Sequence, residues 1–166
     1  MIRNFIPGII WGGLLLAAAG AHSQGSTPGY FWGSVLASEN ERYLREWTAT
    51  PPSHPARLPR QGAVSVGHRL HVSFVTSRFT VLDDSMNVAL DVSIVRPDGK
   101  DLMRTDDWFR LNVPIETNET FVMAPQVLEL KFDASDPKGT YRIIGTFRDL
   151  LSGTRRVTDT LKVDLK

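Results

Sequence analysis

Histidines and paired acids are the residues of this chain whose types could carry chemistry. Apart from His22 near the start, the imidazoles are His54, His68 and His71. His68 and His71 stand three apart, on or beside a stretch that alternates like a strand. An odd separation in a strand sends side chains to opposite faces, so these two are not expected to share an ion. The chain has no cysteine and no histidine pair on a helix, and no zinc centre is expected. Acids pair at Asp83-Asp84 and Asp106-Asp107, with Asp98 and Asp101 around a turn. Calcium needs several oxygens converging from a loop, and the spacing of an EF-hand is missing. These acids read as solvated groups that blunt sheet edges. Neither a Gly-x-Ser-x-Gly elbow nor a phosphate-cradling glycine loop occurs. The expectation is a chain without catalytic residues, metal ligands or cofactor, and so not an enzyme. Calcium binding and hydrolysis are the lesser alternatives.

The elements that would position any site are strands. Leu70, Val72 and Phe74 alternate with His71 and Ser73, a half-buried strand. Val88, Leu90, Val92 and Ile94 alternate with Ala89, Asp91 and Ser93, and this strand stops at Arg96-Pro97-Asp98-Gly99. There proline fixes φ, Asp caps and glycine frees the backbone. Leu102-Met103 and the stretch Trp108, Phe109, Leu111, Val113 read as edge strand or cover. Leu128, Leu130 and Phe132 alternate into the turn Asp136-Pro137-Lys138-Gly139, and Tyr141 opens the next strand. Gly145 falls inside that strand, a place for a bulge or a close backbone approach. Val157, Leu161, Val163 and Leu165 form the last strand. Asp159 shares their face, and a carboxylate turned toward a core demands either a bulge or a hydrogen-bonding partner.

About seven strands punctuated by turns point to an all-β, two-sheet antiparallel sandwich over residues 62–166. The run Asp133, Asp136, Pro137, Gly139, Tyr141, followed by Asp149-x-x-Ser-Gly, resembles the last two hairpins of bacterial immunoglobulin-like domains. Macroglobulin-type and fibronectin III-like modules share that corner. The resemblance implies an immunoglobulin-like sandwich in which Asp136, Pro137, Gly139 and Tyr141 build a structural corner. It also implies that the Tyr141 ring lies in the core and its hydroxyl on upstream backbone.

The beginning of the chain reads differently. Arg3, an apolar run from Phe5 to Ala19, and Ala21-His22-Ser23 make a signal peptide over residues 1–23, with cleavage after Ser23. The run is too short and too broken by Pro7 and glycines to hold the chain in a bilayer. Its removal takes away Arg3 and no acid. The whole chain carries 19 basic and 18 acidic side chains, so the remainder is near neutral. With no clustered basic face, nucleic acid is not an expected partner. Export without disulfides suits a bacterial periplasm, and the localisation expected is periplasmic or secreted.

Residues 24–61 read as an N-terminal arm with a short helix and a proline-rich linker. Ser38 and Glu41 have the spacing of a capping box, Glu41 and Arg45 that of a helical ion pair, and Tyr43, Leu44 and Trp47 form an apolar stripe. Pro51, Pro52, Pro55 and Pro59 make an extended linker. Tyr30, Phe31 and Trp32 are costly to leave in water. They are expected either to dock on the sandwich or to contact another protein. Leu150 and Leu151, adjacent at a hairpin tip, either fold over the end of the core or project as an apolar contact. Together these features suggest a non-enzymatic exported binding module of the bacterial envelope whose partner is another envelope protein. The alternative is a structural subunit of a periplasmic or surface assembly, pilus-like or part of a secretion machine.

Overall fold

The computed structural model describes residues 30–50, 58–115 and 120–166. The expected signal peptide, Pro51, Pro52, Pro55 and His54 lie outside these residues. In chain order the elements are β1 (Trp32–Ser38), α1 (Arg42–Ala49), β2 (Ala63–Val64), β3 (Arg69–Ser77), β4 (Ser85–Val95), β5 (Asp101–Pro114), β6 (Val122–Met123), β7 (Leu128–Lys131), β8 (Gly139–Asp149) and β9 (Arg156–Leu165). They form a two-sheet, all-β sandwich. One sheet has the order β1-β3-β6, with β7 pairing farther along β3; the other runs β2-β9-β8-β4-β5. No helix among the described residues is long and apolar enough to cross a membrane.

Strand alternation decides which side chains meet between the sheets. Leu70, Val72 and Phe74 of β3 face Val88, Leu90, Val92 and Ile94 of β4, and Ile143, Phe147, Leu161 and Val163 of β8 and β9 join them in one core. The two candidate edge segments around Leu102 and Trp108 are a single fourteen-residue strand, β5. Its pairing with β4 shifts between Leu90 and Val92. At the shift Asp107 takes φ 48°, and its amide donates to Asp91 Oδ1 at 2.8 Å. Arg148 clamps Asp91 at 2.9 and 3.1 Å and also reaches Asp107. The irregularity is thus tied to β4 and β8 through Asp91 and Arg148.

The boundary expected at residue 62 needs correction. Residues 32–38, placed by the sequence reading in an arm, are a strand that pairs with β3 over seven positions, from Trp32 opposite Ser77 to Ser38 opposite His71. The reason is composition: Val35 and Ala37 continue the core, and Leu36 on the other face is equally buried. Helix α1 also starts differently. Glu41 occupies its N-cap without a side-chain cap bond. Asn40 Oδ1 accepts from the Arg42 amide at 2.8 Å and Ser38 Oγ from the Asn40 amide at 3.0 Å. The helical ion pair joins Arg42 and Glu46 at 3.0 Å rather than Glu41 and Arg45.

The Tyr141 ring is buried, tilted against Phe132 with centroids 4.8 Å apart. Its hydroxyl donates to Pro137 O at 2.9 Å. Asp133 and Asp136 tighten the same turn, the Asp133 amide donating to Asp136 Oδ2 at 2.9 Å. Gly145 marks a close approach and not a bulge: the ladder runs through it without a shift. A Cβ there would lie 3.1 Å from Val35 Cγ2 and 3.2 Å from Phe74 Cδ1. Gly33 is tighter still, since a Cβ would come within 2.3 Å of the buried Phe147 ring. Gly33→Ala is therefore expected to destabilise by about 1–3 kcal/mol, the range for overpacking a well-filled core. Tyr141→Phe should cost about 1 kcal/mol by removing one net hydrogen bond. Urea denaturation checks both: each midpoint should fall with the slope unchanged.

Candidate functional site

Strand ends from both sheets meet at one pole of the sandwich. In the first sheet, Trp32 at the start of β1 lies opposite Ser77 at the end of β3, and Thr76 pairs with Val122 of β6. In the second sheet, Val88 near the start of β4 pairs with Asp149 at the end of β8, and Arg148 pairs with Arg156 at the start of β9. The fully buried Asp149 carboxylate joins the two sets. It accepts from the Thr80 amide and hydroxyl at 2.8 and 2.7 Å, and from the Leu151 and Ser152 amides at 3.2 and 3.3 Å. A single acid thereby ties the connection after β3 to the loop between β8 and β9.

The large hydrophobic side chains exposed among the described residues all lie at this pole: Tyr30 at 91%, Leu82 at 57% and Phe121 at 53%. Leu82 is presented by a tight hairpin. Leu82 and Ser85 exchange amide–carbonyl bonds of 3.0 Å, and the two residues between them, Asp83 and Asp84, take φ 49° and 53°. Two consecutive positive φ values are what a type I′ turn requires, and Asp tolerates them. Phe121 stands edge-on to the half-buried Trp32, with centroids 5.5 Å apart. Of the three aromatics singled out in the sequence, only Tyr30 is fully in water. Phe31 takes the docked alternative: it is buried in the core, with the Arg155 guanidinium 5.7 Å above its ring. Leu150 and Leu151 are half-buried in the loop between β8 and β9. The two segments expected as separate contacts, 30–32 and 150–151, therefore share one pole, through Phe31 and Arg155.

A second grouping lies on the outer face of the smaller sheet. His71 of β3 stands directly opposite Glu129 of β7 in the ladder, and Glu41 reaches over from the start of α1. One donor atom from each of the three lies within 4.8 Å of the others. The helix is fixed there by Tyr43, whose hydroxyl is 2.7 Å from Ser73 Oγ and 3.4 Å from His71 O. Burial first, with Glu41 adding to it, pushes the Tyr43 phenol up to about 12 despite its bond to Ser73. His68 lies just before β3, outside the strand, and meets Glu39 at 2.9 Å. Sequence reading missed Glu41 and Glu129. Their separations from His71 follow no local period, because each belongs to a different element.

Asp159 supplies the partner that its position demanded. The β8–β9 ladder is regular through it, so it points inward, toward the edge of β1. Its Oδ2 accepts from the Val35 amide at 2.8 Å, the Ser34 hydroxyl at 3.0 Å and Arg60 Nη1 at 2.6 Å. Burial opposes its ionisation, but Arg60, the Val35 amide and Ser34 outweigh that and hold its carboxyl below the usual carboxylate range.

No protein-family model matches this chain, and no curated protein matches it. Solved structures give slight likenesses. A Niemann-Pick type C2 protein from the Japanese carpenter ant is 13% identical, with 86% of this chain and 96% of that one covered, at a TM-score of 0.38. An alkylpurine DNA glycosylase from Pseudomonas fluorescens, bound to DNA with an abasic site analog, is 12% identical over 61% of this chain, at 0.37. A β-glucosidase from Listeria innocua, in complex with gluconolactone, is 11% identical over 82% of this chain, at 0.39. This chain spans 27% and 16% of the length of the two enzymes. At these TM-scores the likenesses assign neither family nor function.

Because the folded pKa of Asp159 is depressed, its contribution to stability is fully present above the unfolded value of about 3.9 and is lost as pH falls through the folded one. The Asp159→Asn variant should therefore be less stable at neutral pH and lose less stability between neutral pH and about pH 3. Urea midpoints measured across that range check it: parallel curves for the two proteins would contradict the assignment.

Proposed function

We propose that this protein is a non-enzymatic, exported binding module of the bacterial envelope, built on an immunoglobulin-like sandwich and released from a signal peptide over residues 1–23. The observation that carries the reading is the placement of Tyr30, Leu82 and Phe121. Solvent-exposed apolar side chains scattered over a surface need no explanation, whereas a cluster on one face marks an interaction site. Here the three share one pole, and two of them are held by built devices, the hairpin beneath Leu82 and the Trp32 ring against Phe121. Rigid aromatic and aliphatic anchors lose little entropy on binding. The partner we infer is another envelope protein presenting an apolar, non-charged surface.

The alternative, a structural subunit joined by strand addition, needs an open sheet edge. The β1 edge is occupied: residues 59–61 run along it, with the Ala37 amide donating to Pro59 O at 2.9 Å and the Gln61 amide to Ala37 O at 3.0 Å. The β5 edge carries Asp101, Arg104, Asp106 and Arg110 in exposed positions, the charge pattern that discourages pairing. Both features favour contact through the pole.

A double variant, Tyr30→Ser with Phe121→Ser, tests the reading. It should remain folded with a melting temperature close to that of the wild type, because Tyr30 lies in water and Phe121 is more than half exposed. It should also lose at least about tenfold in affinity for species that the wild-type protein retains from an envelope extract, as expected when anchors are truncated. Lys131→Ser, on an exposed position away from the pole, should retain them. A partner held equally by all three proteins would overturn the placement of the contact surface.

A further inference from the structure

We propose that Glu41, His71 and Glu129 form a binding site for one divalent transition-metal ion of the zinc class. Three donors from three elements converge there, each offering an atom within 4.8 Å of the others. The spacing between two of them is informative. His71 Nδ1 and Glu41 Oε1 lie 3.6 Å apart, too far for a good hydrogen bond. Ligands about 2.0–2.1 Å from a tetrahedral zinc stand about 3.4 Å from one another. The gap thus fits an ion between the two groups better than a direct bond.

The state of the imidazole points the same way. The His71 side chain is only 8% exposed, and its ring nitrogens make no hydrogen bond of ordinary length among the described residues; the long approach to Glu41 is their nearest charged contact. An ion at Nδ1 would take the place of that long approach. The surrounding groups hold the donors in place. The ladder fixes Glu129 opposite His71. Arg69 Nη1 engages Glu129 Oε2 at 3.0 Å, leaving its other oxygen available and orienting the carboxylate as outer-shell partners do. Tyr43 pins the helix that carries Glu41. Glu41 and Glu129 are both exposed, so their flexible side chains can adjust around the buried imidazole.

The donor chemistry selects the ion. An imidazole with two carboxylates suits zinc, cobalt or nickel, whereas calcium and magnesium prefer oxygen alone. Three protein ligands leave a fourth tetrahedral position, on the solvent side, to water. Binding would join the first turn of α1 to β3 and β7 and stabilise the folded state by mass action.

The test uses the untagged, metal-stripped protein. Titration with Co2+ followed by visible absorption should give the d–d bands of a tetrahedral site and saturate at one equivalent. Zn2+ should displace the cobalt and raise the melting temperature, while Ca2+ and Mg2+ do neither. Glu41→Gln and Glu129→Gln, both at exposed positions that leave the fold intact, should each weaken Zn2+ binding at least about tenfold. His68→Gln should leave it unchanged. Absence of one-to-one binding would overturn the proposal. So would binding that survives the Glu41→Gln/Glu129→Gln double variant, or binding that disappears in His68→Gln. The pole variants Tyr30→Ser and Phe121→Ser should bind Zn2+ normally, which separates this site from the contact surface.

Discussion

Much of the architecture depends on one carboxylate in an awkward place. Asp159 lies on the inward side of β9, where its neighbours at alternate positions are Leu161, Val163 and Leu165. Buried charge is tolerable only when its lone pairs are met. They are met from the other sheet, by the Val35 amide and Ser34 hydroxyl, and by Arg60 from the segment beyond α1. One acid thus fastens an edge strand of the small sheet to the large sheet, and its cation brings residues 59–61 alongside that strand. Gly145, opposite Asp159 in the ladder, leaves the space into which Val35 and Phe74 fit. With no cysteine in the chain, this polar knot and the core around it carry the inter-sheet attachment that a cross-link supplies in many exported domains.

Asp149 does comparable work at the pole. Its acceptor capacity is filled by Thr80 and by the loop it precedes. The loop can therefore turn back over the sheet ends without leaving backbone donors bare. With that end of the sandwich held rigid, apolar side chains can be displayed there without collapsing into the core. The opposite character of Phe31 and Tyr30 makes the point. Adjacent residues in an extended segment face opposite ways, so one is driven beneath Arg155 and the other is left in water.

The outer face of the small sheet has a different logic. Ser73, Val75 and Leu36 are buried there although they lie outside the main core. Tyr43 brings the helix down onto Ser73, and the same contact carries Glu41 to His71. Tyr43, read from the sequence as part of a packing stripe with Leu44 and Trp47, is thus also the residue that brings an acid close to His71.

The sequence by itself determined the layered β architecture. Alternation of Leu70, Val72 and Phe74, and of Val88 through Ile94, is a local property with period two, and burial of one face follows directly. The turn chemistry from Asp136 to Gly139 and the Tyr141 corner are also local, since the hydroxyl reaches a carbonyl only four residues away. The need for a partner at Asp159 was legible too, because charge on an apolar face is a visible contradiction. What only the tertiary structure decided was which residues far apart in the chain meet: Val35 and Arg60 with Asp159, Thr80 with Asp149, and Glu41 and Glu129 close to His71. It also decided that residues 32–38 belong to the sandwich. A strand bounded by glycine, proline and aromatics carries no mark of the sheet it will join, because hydrogen-bonded pairing between distant strands is set by the closing of the whole fold and not by any local period.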